Sequence, residues 1–221
     1  IEGWTFAQMR AAVAEHPGLK HDTVKLSNKE LLEKLNLEFK QAEGLFFPDT
    51  YRFAKGVSDL QIYKQAHGAM MRKLAQSWDK REPNLPYKNA YQALVMASIV
   101  EKETGQKAER DMIAGVFVNR LRQGMLLQTD PTVIYGMGDK YQGKIHKRDL
   151  ETDTPYNTYT RAGLPPTPIA LPGAASLTAA MMPAKTNALY FVARGDGSSE
   201  FSNNLVDHNR AVNKYQRNAG Q

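Results

Sequence analysis

The longest apolar run of the chain, Ala90–Val100 (AYQALVMASIV), leads straight into two carboxylates, Glu101 and Glu103. Asn89 in front can cap a helix, and Gly105 behind can take the left-handed position that ends one. The pattern predicts a buried helix over Ala90–Thr104 with an acidic last turn, too short to cross a membrane. Ahead of it, Leu60, Tyr63, Ala66, Met70, Leu74 and Trp78 keep helical spacing and predict a helix over Leu60–Trp78, joined to the central one by the proline-bearing linker Lys80–Lys88. Behind it, Ile113, Val116, Phe117 and Leu121 predict a helix over Ala108–Arg122 that Gly124 ends. Near the start, Thr5 can cap Phe6–Ala14, which Pro17-Gly18 stops, and Ser27 with Glu30 forms a capping-box pattern opening Glu30–Leu35. Gly44–Phe53 (GLFFPDTYRF) predicts a strand with a turn at Pro48-Asp49. At the other end, Ser176–Met182 predicts a short helix, and Ala188–Ala193 a strand that turns at Gly195–Gly197 to pair with Glu200–Ser202. A last helix is predicted over Val206–Arg217.

These elements describe an α+β chain without internal repeats. They divide into a small αβ unit, residues 1–55, and a larger mixed α/β unit, residues 56–221, with a buried central helix. The chain has 221 residues, enough for a sizeable core, and 42% hydrophobic with 24% charged residues is ordinary globular composition. A net charge of +6 suits an acidic partner. No Arg/Lys run interleaved with aromatics accompanies it, which argues against nucleic acid. The absence of cysteine excludes disulfides and the common structural zinc sites, and the five histidines are scattered without metal-ligand spacing. No serine or cysteine stands in a nucleophile elbow, and Gly136-Met137-Gly138 alone is not a phosphate loop. No lysine sits in a plainly apolar setting for a Schiff base. No signal peptide or transmembrane stretch is present; the chain opens on Ile1 without an initiator Met, and it reads as a fragment whose targeting segment lies upstream.

The spacing of the two carboxylates carries chemistry. At roughly 200° apart on a helix, side chains at i and i+2 diverge, so Glu101 and Glu103 cannot be the facing pair of an ordinary glycosidase. Glu103 shares a face with Met96, Ile99 and Val100; Glu101 follows Leu94 and Ala97. A carboxyl against apolar neighbours at a helix C-terminus keeps its proton near neutral pH, as a general acid must. A solvated last turn, with Glu101 and Lys102 as surface charges, fits the same periodicity. Two further stretches, LQTDPTVIYG at Leu127–Gly136 and Asp149–Leu171 with Tyr156, Asn157, Thr158 and Tyr159, combine proline-stiffened backbone with amides and phenol rings. They read as rigid extended loops, and such loops suit sugar binding as well as simple turn chemistry.

Several long motifs carry a family resemblance: EGLFFPDTYRF at Glu43–Phe53, ASIVEKET at Ala97–Thr104, LQTDPTVIYG at Leu127–Gly136, YNTYTRAGLPPTPIALPG at Tyr156–Gly173, and LYFVARGDG with NLVDHN over Leu189–Asn209. The chain resembles the YceG-like, or MltG, family of endolytic murein transglycosylases over essentially its whole length. The resemblance implies a LysM-like subdomain, N-terminally truncated, in residues 1–55 and a catalytic transglycosylase domain in residues 56–221. It implies cleavage of the MurNAc–GlcNAc β-1,4 bond of peptidoglycan to 1,6-anhydroMurNAc ends, with one glutamate as acid and then base, and no metal or organic cofactor. More distant lytic transglycosylases carry Glu-Ser at the end of a buried helix, a place Glu103-Thr104 fills here, so Glu103 is the implied acid/base and Glu101 the fallback. Gln128, Asp130, Asn157 and Tyr159 are the candidates for positioning the sugar, from composition and motif placement. The family form also implies the periplasmic face of the inner membrane, reached through an upstream anchor helix, and peptidoglycan synthases as partners. Two other readings stay beside it: a non-catalytic wall-binding module, and a pyridoxal-phosphate-dependent aminodeoxychorismate lyase, a label some family members have carried.

Overall fold

The computed structural model describes residues 1–103 and 106–217. In chain order it runs α1 (Phe6–Glu15), β1 (Leu19–Lys20), α2 (Asn28–Lys34), β2 (Val57–Ser58), α3 (Asp59–Asp79), α4 (Ala90–Glu103) and α5 (Arg110–Arg122). There follow α6 (Asp130–Met137), α7 (Lys147–Glu151), α8 (Ala174–Met181), β3 (Tyr190–Ala193), β4 (Ser199–Ser202) and α9 (Leu205–Val212). The fold is mixed α and β, with small sheets: β1 and β2 pair in parallel, Leu19 with Val57, and β3 and β4 pair antiparallel, Tyr190 with Ser202 through Ala193 with Ser199.

The apolar run becomes α4, and Ala93 through Val100 are all buried. A helix apolar on every side must be covered on every side. Here α3, α5, α6 and α8 all pack on it. The one polar side chain in that buried stretch, Ser98, is satisfied on the spot: it donates to the Val95 carbonyl at 2.7 Å and accepts the Ile169 N–H at 3.0 Å. Asn89 caps the helix by accepting the Gln92 N–H at 3.0 Å. The expected stop at Thr104 and Gly105 lies outside the described residues. The capping boxes of α1 (Thr5 with Gln8) and α2 (Ser27 with Glu30) are both formed, so each helix starts where its side chains satisfy the first free N–H groups.

Gly44–Phe53 is not a strand. Leu45, Phe46 and Phe47 are buried in succession, so the segment does not alternate between a core face and a solvent face. Phe46 stacks on Phe6 at 4.8 Å and meets Tyr63 at 5.8 Å, and the Phe47 N–H donates to the Ala66 carbonyl of α3 at 3.0 Å rather than to a neighbouring strand. A run of apolar residues records burial without recording which backbone shape achieves it. Within Leu127–Gly136 the structure instead forms a helix, α6, with Pro131 in its first turn, where a missing N–H costs nothing. The expected loop over Asp149–Leu171 begins inside another helix, α7. The last helix is shorter than expected: α9 ends at Val212 and a π-helical turn, Asn213–Arg217, follows.

Candidate active site

Glu103 closes the last described turn of α4 and faces a cleft of about 870 Å³. The segment crossing beneath it is Gln128-Thr129-Asp130, leading into α6. The Thr129 hydroxyl donates to Glu103 Oε1. Thr129 is itself locked: its N–H donates to Thr158 Oγ1 at 3.1 Å, and its carbonyl accepts the Thr132 hydroxyl at 2.8 Å. The hydroxyls of Thr132 and Thr158 meet at 2.8 Å. Three buried threonines thus tie α6 to the 156–159 segment at the point where Glu103 arrives.

Burial pushes the Glu103 carboxyl above the usual carboxylate range, and the nearby negative charge of Asp130 pushes the same way; the Thr129 hydrogen bond pulls back. The residue as a whole keeps an opening to the cleft. Asp130, across from it, accepts the Tyr159 hydroxyl at 2.5 Å. Gln128 adopts φ of +52°, a left-handed conformation uncommon outside glycine. Its N–H donates to the Thr158 carbonyl at 3.1 Å and its amide oxygen accepts Arg120 Nη1 at 3.3 Å. Glu103, Gln128, Asp130 and Tyr159 therefore line one cleft.

Asn157 does not join them. It is 1% exposed, and its amide donates to the carbonyls of Leu150 and Thr152 at 3.0 and 2.7 Å. Its oxygen accepts the Tyr159 N–H at 2.8 Å. Asn157 shapes the loop that presents Tyr159 and is closed off from the cleft, a correction to its expected place among the sugar contacts. Glu101 also lies elsewhere. Its side chain, 6% exposed, is 3.4 Å from Arg110 Nη2 and accepts the Gly173 N–H at 2.9 Å on the far side of the helix. The divergence of the two glutamates is thus built into packing: one is tied down in an ion pair, the other stands at the cleft.

The cleft is also lined by Arg120 and His208, whose place in it sequence reasoning passed over. Arg120 is 7% exposed; it donates to the carbonyls of Leu126, Leu127 and Leu189 and covers the Tyr190 ring at 4.9 Å. His208 stacks on the same ring at 5.0 Å, and burial holds its pKa below the ordinary histidine value. In the sequence Arg120 looks like one of several surface cations of α5; only the fold brings its helix against β3. Thr129 and Thr158 did leave a signal, since both stand inside the two threonine-bearing motifs. Among the described residues no cluster of three or more His, Cys, Asp or Glu side chains is arranged to hold a metal ion.

The arrangement can offer one proton from a buried carboxyl into a polar cleft. The neighbouring carboxylate, Asp130, accepts the Tyr159 hydroxyl.

The sequence matches the YceG-like family over residues 1–214. It is 36% identical to an endolytic murein transglycosylase of Bacillus subtilis across 97% of this chain and 63% of that protein. It is 33% identical to an endolytic murein transglycosylase of Streptococcus pneumoniae across 82% of this chain and 34% of that protein. The chain thus spans from about a third to under two thirds of the length of these relatives. A crystal structure of a yceG-like protein of Listeria monocytogenes superposes with a TM-score of 0.76 at 35% identity, covering 95% of this chain and 74% of that one. With its motifs, its fold and the match from the first residue to residue 214 in agreement, the chain belongs to the YceG-like family.

Proposed function

We propose that the chain is the catalytic part of an endolytic murein transglycosylase, cutting the MurNAc–GlcNAc β-1,4 bond inside peptidoglycan strands. The observation that carries this reading is the Glu103 carboxyl, pushed toward its protonated form by burial and opening on a cleft lined by Gln128, Asp130 and Tyr159. Glu103 gives its proton to the glycosidic oxygen as that oxygen leaves C1. The MurNAc 6-hydroxyl then closes on C1, and the Glu103 carboxylate takes the hydroxyl proton. The carboxyl ends as it began, no water is consumed, and the product carries a 1,6-anhydro ring. Thr129 holds the carboxyl in place through both proton states, donating to it as a hydroxyl can to acid or anion alike. Asp130, through its carboxylate, and Tyr159, whose proton is committed to Asp130 and whose oxygen lone pairs stay open, offer fixed acceptors to sugar hydroxyls, and the Asp130 charge faces the positive charge that develops on the ring.

The same reading takes residues 1–55 as a LysM-like unit and places the enzyme at the periplasmic face of the inner membrane, held by an anchor upstream and working beside peptidoglycan synthases. No described helix is long and apolar enough to cross a membrane. What supports the envelope placement is the peptidoglycan chemistry named for the Bacillus and pneumococcal relatives. The deciding experiment is mass spectrometry of purified glycan strands after incubation with the protein. Anhydro-ended fragments from internal cuts are expected. Strands that bind but stay intact would identify a wall-binding module instead.

A further inference from the structure

Glu43 is a buried carboxyl, 6% exposed, that the proposed reaction leaves unused. Its Oε1 accepts the N–H of Phe6, the first residue of α1, at 2.9 Å, and its Oε2 accepts the Tyr135 hydroxyl at 3.1 Å. Tyr135 belongs to α6, the helix that presents Thr129 and Asp130 to Glu103. The Tyr135 ring meets Tyr156 edge-on at 4.9 Å, and Tyr156 shares a hydrogen bond with Thr167 at 2.9 Å. Tyr156 opens the segment that carries Thr158 and Tyr159. One carboxyl therefore braces both stretches of chain around Glu103. Little slack surrounds this brace: a Cβ on Gly44 would fall 2.4 Å from the Pro168 ring, and one on Gly136 would fall 3.0 Å from Tyr156 Cβ.

We propose that Glu43 is a positioning residue for Glu103: through Tyr135 it seats α6 and the 156–159 segment so that Thr129 stays hydrogen-bonded to the Glu103 carboxyl, and its own proton changes that seat. This rests on Glu103 as the working acid. The groups that face Glu43 are the Phe6 N–H from α1, the Gly44 N–H beside it, Tyr135 from α6 with Tyr156 behind it, and the Lys102 charge from α4. Burial outweighs them and moves its pKa up to about 7. Ionised, the carboxylate accepts from all its donors. Neutral, it must place its own proton on Oε2, because the Phe6 N–H can only donate, and Tyr135 must turn its hydroxyl to accept. The Glu43–Tyr135 bond thus reverses direction close to neutral pH.

The test is a carbon-13 NMR titration of the Glu103 carboxyl in glutamate-labelled protein, for wild type, Glu43→Gln and Tyr135→Phe, beside circular dichroism. Loss of the Glu43 charge acts directly on Glu103 by lowering its midpoint, since a like charge has gone. Loosening of the Thr129 bond raises it, since that bond holds the midpoint down. A rise of about half a unit or more in both folded variants is the expected result. A fall, an unchanged midpoint, or loss of the fold in both variants would overturn the proposal and leave Glu43 a structural clamp. Anhydro-product release is measured in parallel: kcat is expected to drop severalfold in both variants, with KM within about twofold. If the midpoint rises while even wild type makes no anhydro product, the positioning stands and the transglycosylase reading fails.

Discussion

At the scale of single residues, two glutamates two positions apart meet opposite surroundings, an ion pair for Glu101 and a cleft for Glu103. Glu103→Gln keeps shape and the Thr129 contact but removes the transferable proton, so product release should fall on the order of a hundredfold or more with the melting temperature nearly unchanged. Glu101→Gln should do the reverse. It breaks a buried pair with Arg110, whose Nε has no hydrogen-bond partner among the described residues, and should cost roughly 3–5 kcal/mol of stability while the folded fraction keeps its rate. Denaturant unfolding and anhydro-muropeptide release on both variants check the split. Equal loss of rate in both, at equal stability, would sink the assignment. The pH dependence follows from the same carboxyl. A general acid works while protonated, so the rate should fall as pH rises through the raised pKa of Glu103. Thr129→Val, by removing the hydrogen bond that lowers that pKa, should move the alkaline limb to higher pH.

At the scale of elements, legibility tracked local chemistry. α1 and α2 were readable because their caps are written in three or four consecutive residues, and α4 because eight buried positions in a row leave little choice. The 44–53 segment and α6 were misjudged for the same physical reason in opposite directions. Phe46 and Phe47 look like strand residues, yet they fill gaps beside Phe6, Tyr63 and Ala66 as irregular backbone. Pro131 looks like the stiffener of an extended loop, yet it stands in the first turn of α6. That Glu103, Gln128, Asp130 and Tyr159 share one cleft was readable from the motifs, but Asn157 was not separable from them: an amide that binds sugar and one that binds carbonyls look alike until the loop closes around it. That difference is measurable. Asn157→Ala removes the donors to Leu150 and Thr152 and the acceptor for Tyr159, so it should cost about 2–4 kcal/mol and raise KM by releasing Tyr159. A variant of unchanged stability with weakened glycan binding would return Asn157 to the cleft.

At the scale of the whole molecule, residues on both sides of position 55 share one interior. β1 pairs with β2 across it, Phe6 and Phe46 pack on Tyr63 of α3, and Glu43 reaches Tyr135 of α6. A LysM-like unit drawn at residues 1–55 would thus be a subdomain in sequence, coupled to the rest in energy. Phe46 is fully buried among rings, and Phe46→Ala should cost about 3–5 kcal/mol. The form of the transition matters more than its size. If the interior is continuous, the variant melts in a single step at lower temperature, with calorimetric and van't Hoff enthalpies still equal, and the intrinsic fluorescence of Trp4 and Trp78 is lost together. A low-temperature step that leaves the α4 helix and its cleft standing would show that the first 55 residues fold by themselves. The pH adds an independent handle. Because the Glu43 carboxyl titrates near 7 when folded and near 4.5 when not, the folded state holds the extra proton between those values. Stability should therefore be highest near the acid end of that window and decline as pH rises through about 7, by on the order of 3 kcal/mol from this group, with Glu103 adding in the same direction. Glu43→Gln should flatten that slope across the entire cooperative transition, because the carboxyl that titrates touches α1 on one side and α6 on the other.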